Sequence, residues 1–167
     1  MNIFTCDEDP ILAARFLDDK RVVKMCLESA QIYCTNADNF GLETPYKPTH
    51  QNHPATLWVR EDIRQFHWFI THMNALFDEY TYRYNKVHLS SVKIQSVDYP
   101  ALRSMIPYPK LSASEHVTNW PSSVGGSIRA CRNRLIDKWD NDVVQPTWTR
   151  RLVPYWYEET LLELGVN

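Results

Sequence analysis

Cations and aromatic rings are concentrated in one stretch of the chain, and their chemistry suits contact with nucleic acid. Residues 127–157 read SIRACRNRLIDKWDNDVVQPTWTRRLVPYWY and hold six Arg and Lys residues together with five Trp and Tyr residues. Basic groups pair with phosphates and aromatic rings stack on bases, so the combination favours a nucleic-acid contact. The contact should be local and salt-sensitive, because the chain as a whole has a net charge of -2.

Two of these cations, Arg134 and Lys138, are four residues apart on a predicted helix and are therefore neighbours on its surface. Like charges at this spacing destabilise a helix by roughly 0.2–0.5 kcal/mol unless an anion lies nearby. A bound phosphate would supply that anion, and so would Asp137 or Asp140 on the same helix. A phosphate contact and a solvated basic face are both compatible with the pattern.

The histidines do not form a metal-binding pattern. His50 and His53 are close in PTHQNHP, but no third or fourth ligand follows at a zinc-like spacing. His67 and His72 are five residues apart, which places them off one helix face. We therefore expect no metal and no cofactor, and His53 near a helix start can hydrogen-bond the backbone or a phosphate.

Length and composition limit the class of protein. A chain of 167 residues can bury a core without disulfides or metals, and we assign residues 1–167 to a single domain. Neither a signal peptide nor an apolar run of roughly 18 residues is present, which favours a cytoplasmic protein without a membrane role. No CxxC pair occurs among the four cysteines, which we interpret as reduced thiols: Cys6, Cys26, Cys34 and Cys131.

The elements that must position these groups are helical, because no alternation typical of strands is present. Asp9 before Pro10 is a helix start, so a first short helix should span residues 10–17. A second helix should span residues 20–34, followed by a loop over residues 36–52. The inner face of the second helix should be formed by Val23, Leu27, Ala30 and Cys34.

The longest apolar stripe begins just after Pro54 and predicts one central helix through residue 84. Such stripes usually form the core, so we interpret the aromatic residues in it as packing residues. The stripe consists of Val59, Ile63, Phe66, Ile70, Met73, Phe77, Tyr80 and Tyr84. Prolines then break residues 100–121 into loops and short turns.

A last helix should span residues 122–139, and the glycine pair at its start could let backbone donors approach a phosphate. Its inner side should be formed by Ile128, Cys131, Leu135 and Trp139. The sequence therefore predicts an all-α fold: a small helical bundle around one long central helix, with an extended aromatic and basic C-terminal tail.

The run SIRACRNRLIDKWDNDVVQPTW resembles the end of the phage pyrimidine-dimer DNA glycosylase/AP lyase family. Two further segments resemble that family and its uncharacterised bacterial and phage relatives: LDDKRVVKM, and HPATLWVREDIRQFHWF with His53 at its start. Residues 87–121 are unmatched. The positions that match in the C-terminal run are Ser127, Ile128, Arg134, Leu135, Lys138, Pro146, Thr147 and Trp148.

The resemblance implies an all-α, metal-free enzyme whose N-terminal α-amine attacks the sugar C1′ of a damaged nucleotide. The base leaves, a Schiff base forms, and β-elimination cuts the strand. An α-amine suits this chemistry because its pKa, about 7.7–8.0, leaves an appreciable unprotonated fraction at neutral pH. Asn2 is too large to permit methionine removal, so the nucleophile should be the amine of Met1.

The resemblance also implies a carboxylate beside the amine, which is a glutamate in that family. Matching Arg21 to the family's arginine places the acid at Asp18, with Asp19 adjacent and Glu28 further along the helix as the alternative. Asp18 or Asp19 could instead cap the helix. The implied catalytic residues are Met1, Asp18, Asp19 and Arg21. The implied nucleic-acid-binding residues are Asn2, Lys20, His53, Arg134, Lys138, Trp148, Arg150, Arg151 and Trp156.

These residues predict a monomeric, cytoplasmic DNA glycosylase and AP lyase that repairs damaged or modified pyrimidines in duplex DNA. One alternative is a non-catalytic module that binds nucleic acid or a nucleotide on the same fold. The other alternative is an enzyme that cleaves the glycosidic bond of free nucleotides and needs less basic surface. Duplex DNA binding at low and moderate salt separates the last alternative from the first prediction.

Overall fold

The structure is a computed structural model, and it describes residues 1–109, 117, 119–163 and 165. Within that part of the chain every regular element is helical, which confirms the predicted all-α fold. The α-helices are α1 (Pro10–Arg15), α2 (Asp19–Asn39), α3 (Pro54–Glu61), α4 (Ile63–Tyr84), α5 (Leu89–Lys93), α6 (Tyr99–Met105), α7 (Ile128–Asn141) and α8 (Tyr155–Glu163). Short 3₁₀ helices cover Ile94–Ser96 and Ser122–Val124.

The first helix starts where the sequence predicts. Asp9 accepts hydrogen bonds from the backbone N–H groups of Ile11 and Leu12, and Pro10 occupies the first turn, where its missing donor costs nothing. The helix ends at Arg15, two residues earlier than predicted.

Helix α2 is longer than predicted and turns a different face to the core. Val23 and Leu27, predicted to be inside, are 42% and 40% exposed, so that prediction is wrong for them. The buried face is offset by one position and includes polar residues such as Ser29 and Asn36. Asn36 is tolerated there because its amide donates to the Ile32 carbonyl and its oxygen accepts from Arg60.

The predicted central helix is divided in two at Asp62. This residue has extended backbone (φ -154°, ψ 166°), and its side chain accepts from the N–H groups of Arg64 and Gln65 at the start of α4. The Ile63 N–H donates to Pro107 instead of continuing α3. Helix α4 still occupies the centre, because it packs against α1, α2 and α3. The apolar stripe is core packing, as predicted: Val59, Ile63, Phe66, Met73 and Phe77 are all buried.

Helix α7 begins at Ile128, six residues later than predicted, because a turn of left-handed glycines precedes it. Gly125 has φ 100°, and a Cβ at this position would lie 2.5 Å from the Ala130 Cβ, so only glycine fits. Ser127 then caps α7 by accepting from the Ala130 N–H. Cys131, Leu135 and Trp139 are buried as predicted.

The tail is not wholly extended. Residues 142–154, called the strap below, cross the bundle without regular structure, and α8 follows. The predicted extended tail is therefore wrong over Tyr155–Glu163, because Trp156 and Tyr157 pack on Trp139 of α7 and fix a helix there. Of the predicted turns over residues 100–121, residues 110–116 and 118 lie outside the described part of the chain.

The buried apolar residues form one core, which includes the residues near Met1 as well as α7 and α8. All four cysteines are free and buried, as expected of reduced thiols. Among the described residues, no helix is sufficiently long and apolar to span a bilayer.

Candidate active site

Glu28 on α2 lies beside the α-amine of Met1. Its Oε2 is 3.7 Å from the Met1 nitrogen and accepts a hydrogen bond from the Asn2 N–H at 3.0 Å. Lys24, one turn earlier on α2, lies 3.4 Å from the Oε1 atom. The Glu28 side chain is only 14% exposed, so these contacts hold it in one orientation toward the amine.

Helix geometry explains why Glu28 is there. Arg21, Lys24, Met25 and Glu28 follow the spacing i, i+3, i+4, i+7 and form one stripe along α2. Asn2 binds Glu28 on this stripe, and the residues that follow it, Ile3 to Cys6, are buried in the core. The amine is therefore fixed by the packing of the four residues that follow Asn2.

A cavity of about 200 Å³ opens next to the amine and gathers groups from three parts of the chain. The N-terminal segment, the first half of α2 and the C-terminal end of α7 meet there. It is lined by Met1, Asn2, Phe4, Lys20, Arg21, Lys24, Met25, Glu28, Lys138 and Asp142. Five of the predicted site residues thus line one cavity: Met1, Asn2, Lys20, Arg21 and Lys138.

Arg21 is the buried cation of this cavity. Its Nη1 donates to Asp18 Oδ1 at 3.0 Å and to Asp142 Oδ2 at 2.9 Å. Asp18 is almost fully buried and also accepts from the Trp139 indole at 2.8 Å. Asp18 therefore neutralises and positions Arg21, and it does not line the cavity.

The predicted position of the acid beside the amine is corrected by these contacts. Asp18 occupies the N-cap position of α2, but its side chain makes no cap hydrogen bond because Arg21 and Trp139 bind it. Asp19 binds the strap: its carboxylate accepts from Thr147 and Thr149 and from the fully buried side chain of Arg83. Although its partial burial acts the other way, those hydrogen bonds lower the pKa of Asp19 and keep it ionised. Glu28, the alternative in the sequence, is the acid at the amine.

His53 lies close enough to this site to sense its charges. Its Nδ1 accepts from the Ala55 N–H at the start of α3, so the proton of the neutral ring is on Nε2. Burial lowers the pKa of His53, and the charges of the Met1 amine and His50 lower it further. His53 is therefore a neutral donor near the amine at pH 7.

Lys138 lines the cavity, whereas Arg134, one turn earlier on α7, does not. Arg134 is exposed and donates to the Ser123 carbonyl at 3.0 Å. Both side chains are exposed and lie one turn apart on α7, and the predicted phosphate contacts remain a prediction.

The two strap arginines are already engaged within the protein. Arg151 pairs with Glu79 and lies 4.1 Å from the centroid of the Tyr82 ring. Arg150, with a left-handed backbone (φ 60°), donates to the Tyr82 carbonyl and to Asn85. These contacts hold the strap on α4, and the predicted role of both arginines in binding nucleic acid stays a prediction.

The two predicted base-stacking rings, Trp148 of the strap and Trp156 of α8, belong to an aromatic cluster around Trp139. Trp156 is 6% exposed and stacks on Trp139 with centroids 5.4 Å apart. Trp148 donates its indole N–H to the Phe16 carbonyl and packs edge-on against Trp139. A ring packed in this way has no free face for a base, so the expectation of stacking is corrected for Trp156. Trp148 is half-buried, and its indole donor is occupied.

A larger cavity of about 830 Å³ lies elsewhere, along α4 and next to α5 and α6. Its lining is mostly apolar, with Ile70, Met73 and Phe77 as examples, and it contains no amine next to a carboxylate. We place the candidate site at the smaller cavity because its groups carry the chemistry.

The sequence did not single out Asp142, and it suggested Lys24 only as an alternative nucleophile to the amine. Lys24 follows from the spacing of α2, four residues before Glu28. Asp142 lies 121 positions from Arg21, and only the fold brings the two together.

The fold is all-α, and at the candidate site an amine and a carboxylate share a cavity with three lysines and an arginine. A family model described as pyrimidine dimer DNA glycosylase matches residues 1–91, which is more than half of the chain. The chain therefore belongs to the pyrimidine dimer DNA glycosylase family, and its substrate class is DNA. The match covers Met1, α2 and Glu28 and ends before α7. No curated protein and no solved structure matches the chain.

Proposed function

We propose that the protein removes a damaged or modified pyrimidine from duplex DNA by using the α-amine of Met1 as nucleophile, and then cuts the strand. The observation that supports this proposal is the 3.7 Å pair of the Met1 amine and Glu28 in a cavity lined by cations. A DNA-directed enzyme needs both parts, a reactive pair and a means of holding phosphates.

In the first step the amine lone pair forms a bond to C1′ while the glycosidic bond to the base breaks. The base takes up a proton as it leaves, and the amine loses one. Opening of the sugar ring at the C1′–O4′ bond then gives a protonated imine. Glu28 stabilises the positive charge that develops on the sugar, because its carboxylate lies on the same side as the amine.

The second step is β-elimination, which the protonated imine makes possible by withdrawing electrons from C2′. A proton leaves C2′, the C3′–O3′ bond breaks, and the 3′ phosphate departs. Glu28 is the base for the C2′ proton, since the other carboxylate that lines the cavity, Asp142, is bound to Lys20 and Arg21. Water then releases the amine from the imine and regenerates the enzyme.

The cations around the cavity hold the DNA backbone. Lys20 and Lys24 are more than 60% exposed, and Lys138 is exposed on the opposite wall. Three flexible ammonium groups facing solvent can pair with phosphates on either side of the damaged nucleotide.

The test is reduction of the imine with borohydride in the presence of DNA that contains an abasic site. We expect a covalent adduct, and mass spectrometry of its peptides should place the adduct on Met1. Acetylating the amine, or adding a few residues before Met1, should abolish both the adduct and strand cleavage. Lys24→Arg is the matched control, because it keeps the charge beside Glu28 but removes a side-chain amine of the same cavity, so the adduct and the cleavage should persist.

An adduct on Lys20 or Lys24, or cleavage by the extended protein, contradicts the amine mechanism. If abasic DNA is bound but neither trapped nor cut, the non-catalytic binding module replaces this proposal. A glutamate beside the amine supports the enzyme over that module.

A further inference from the structure

Asp142 is an acid in a cavity that otherwise suits phosphate. It lies at the C-terminal end of α7, where its Oδ1 accepts from Lys20 at 2.8 Å and its Oδ2 from Arg21 at 2.9 Å. Each carboxylate oxygen thus binds one cation of α2, as the two non-bridging oxygens of a phosphodiester could. The two bonds lower the pKa of Asp142, so it is negatively charged when DNA approaches.

We propose that Asp142 occupies the position of a DNA phosphate in the free enzyme, and that the substrate backbone displaces it from Lys20 and Arg21. This inference rests on the proposed binding of DNA at the same cavity. Asp142 then competes with DNA phosphates for Lys20 and Arg21, which weakens the binding of undamaged DNA. A damaged substrate that makes additional contacts in the cavity can still displace Asp142 and bind the two cations.

The surroundings of Asp142 allow this displacement at little cost. The next residues, Val143 and Val144, are exposed, so moving them uncovers no apolar core. The strap stays attached further along, because the Asp19 N–H donates to the Thr147 carbonyl and the Thr147 hydroxyl donates to Asp19. Residues 142–146 therefore form a short link between a releasable contact and a fixed one.

Arg21 remains compensated when Asp142 leaves. It is buried, and an unpaired buried cation would be costly, but Asp18 binds the same Nη1 and is held by Trp139. The phosphate thus meets an arginine that is already oriented.

The experiment compares Asp142→Asn with Asp140→Asn, which removes the same charge from an exposed position two residues away. Binding is measured to undamaged duplex and to duplex carrying a stable abasic analogue, at roughly 50 and 200 mM salt. We expect Asp142→Asn to tighten binding about three- to tenfold more than Asp140→Asn does, because Lys20 and Arg21 become free.

A double-mutant cycle tests the displacement directly. In the wild-type background Lys20→Ala should cost little affinity, since Lys20 exchanges one anion for another when DNA binds. In the Asp142→Asn background the same change should cost more, because the phosphate contact is then lost without compensation. Lys24→Ala, a lysine of the same cavity that pairs with Glu28, should cost the same in both backgrounds.

Three results would overturn the inference: equal effects of Asp142→Asn and Asp140→Asn, weaker abasic DNA binding by Asp142→Asn, or no coupling to Lys20. Borohydride trapping by the same proteins separates this inference from the proposed mechanism. If the adduct forms but Asp142→Asn does not change the DNA affinity, only the competition by Asp142 is rejected. If Asp142→Asn binds DNA more tightly but no adduct forms, only the amine mechanism is rejected. Melting temperatures of all variants show whether they are folded.

Discussion

At the scale of single residues, the chemistry depends on which carboxylate faces the amine. Glu28 is only partly buried and touches the Met1 amine, the Asn2 N–H and Lys24. Asp18 is fully enclosed by Arg21 and Trp139. We therefore expect the two acids to have separable functions, Glu28 toward the substrate and Asp18 toward the protein.

We predict that Glu28→Gln reduces single-turnover cleavage of abasic DNA by a factor on the order of 10² or more, because the amide cannot stabilise the sugar cation or accept the C2′ proton. Binding of the uncleaved DNA should change little. Asp18→Asn is the comparison: it should lower the free energy of unfolding by about 1–3 kcal/mol, since Arg21 loses a buried partner. Full activity in Glu28→Gln together with inactive, stable Asp18→Asn would reverse the two assignments.

The sequence limited the acid to a few candidates but could not choose among them. Asp18 and Asp19 stand next to Arg21 in the chain, yet their side chains are bound by Trp139 and Thr149, which are more than a hundred positions away. Glu28 reaches the amine because α2 continues as a helix past it. The choice depends on tertiary contacts that no local spacing encodes.

At the scale of elements, the packing of α4 against α1 depends on a buried imidazole. His72 on α4 is 1% exposed, its Nδ1 donates to the Pro10 carbonyl of α1, and its ring stacks on Trp68. Burial lowers the pKa of His72 to about 4, from an ordinary value near 6.5. The ring is thus neutral in the folded protein across the range in which it becomes charged in the unfolded chain.

This shift predicts a loss of stability on mild acidification. Between pH 6.5 and about 4 the unfolded state binds a proton that the folded state does not, so the free energy of unfolding falls as the pH falls. The contribution of His72 is at most about 3 kcal/mol over this window. Urea unfolding at several pH values should show a smaller pH dependence for His72→Asn, which keeps a donor for Pro10 but does not titrate.

His50→Asn is the matched control, because His50 is exposed and asparagine tolerates its left-handed backbone (φ 51°). An unaltered pH dependence in His72→Asn, or a reduced one in His50→Asn, would show that other groups cause the acid sensitivity.

The elements themselves were largely predictable, and their exact limits were not. Asp9 and Pro10 give a local start signal, so the beginning of α1 was correct. At Asp62 the apolar spacing continues through the break, and the interruption depends on a hydrogen bond from Ile63 to Pro107 in a distant turn. Hydrophobic periodicity contains no information about that partner.

At the scale of the whole molecule, the strap and α8 close the bundle with an aromatic cluster. Trp156 stacks on Trp139, meets the ring of Phe16 edge-on and lies under the guanidinium of Arg132. The sequence suggested base stacking for this ring, because composition alone does not distinguish a ring packed in the core from one that faces a ligand.

We predict that Trp156→Ala lowers the free energy of unfolding by about 3–5 kcal/mol, as expected for removal of a large buried ring. DNA affinity per folded molecule should stay near the wild-type value. Leu152→Ala, at a 90% exposed strap position, should change stability by no more than about 0.5 kcal/mol. Wild-type stability combined with weakened DNA binding in Trp156→Ala would restore the stacking role.

The amine cavity joins residue 1 to Lys138 and Asp142 at the far end of α7. During translation the proposed nucleophile, the amine of Met1, is made first, and Lys138 and Asp142 of the same cavity are made more than a hundred residues later. At roughly 5–20 residues per second this interval is on the order of ten seconds. We therefore expect a ribosome-bound nascent chain to be unable to cleave DNA until α7 has been synthesised. Cleavage activity should begin only when the fold is complete.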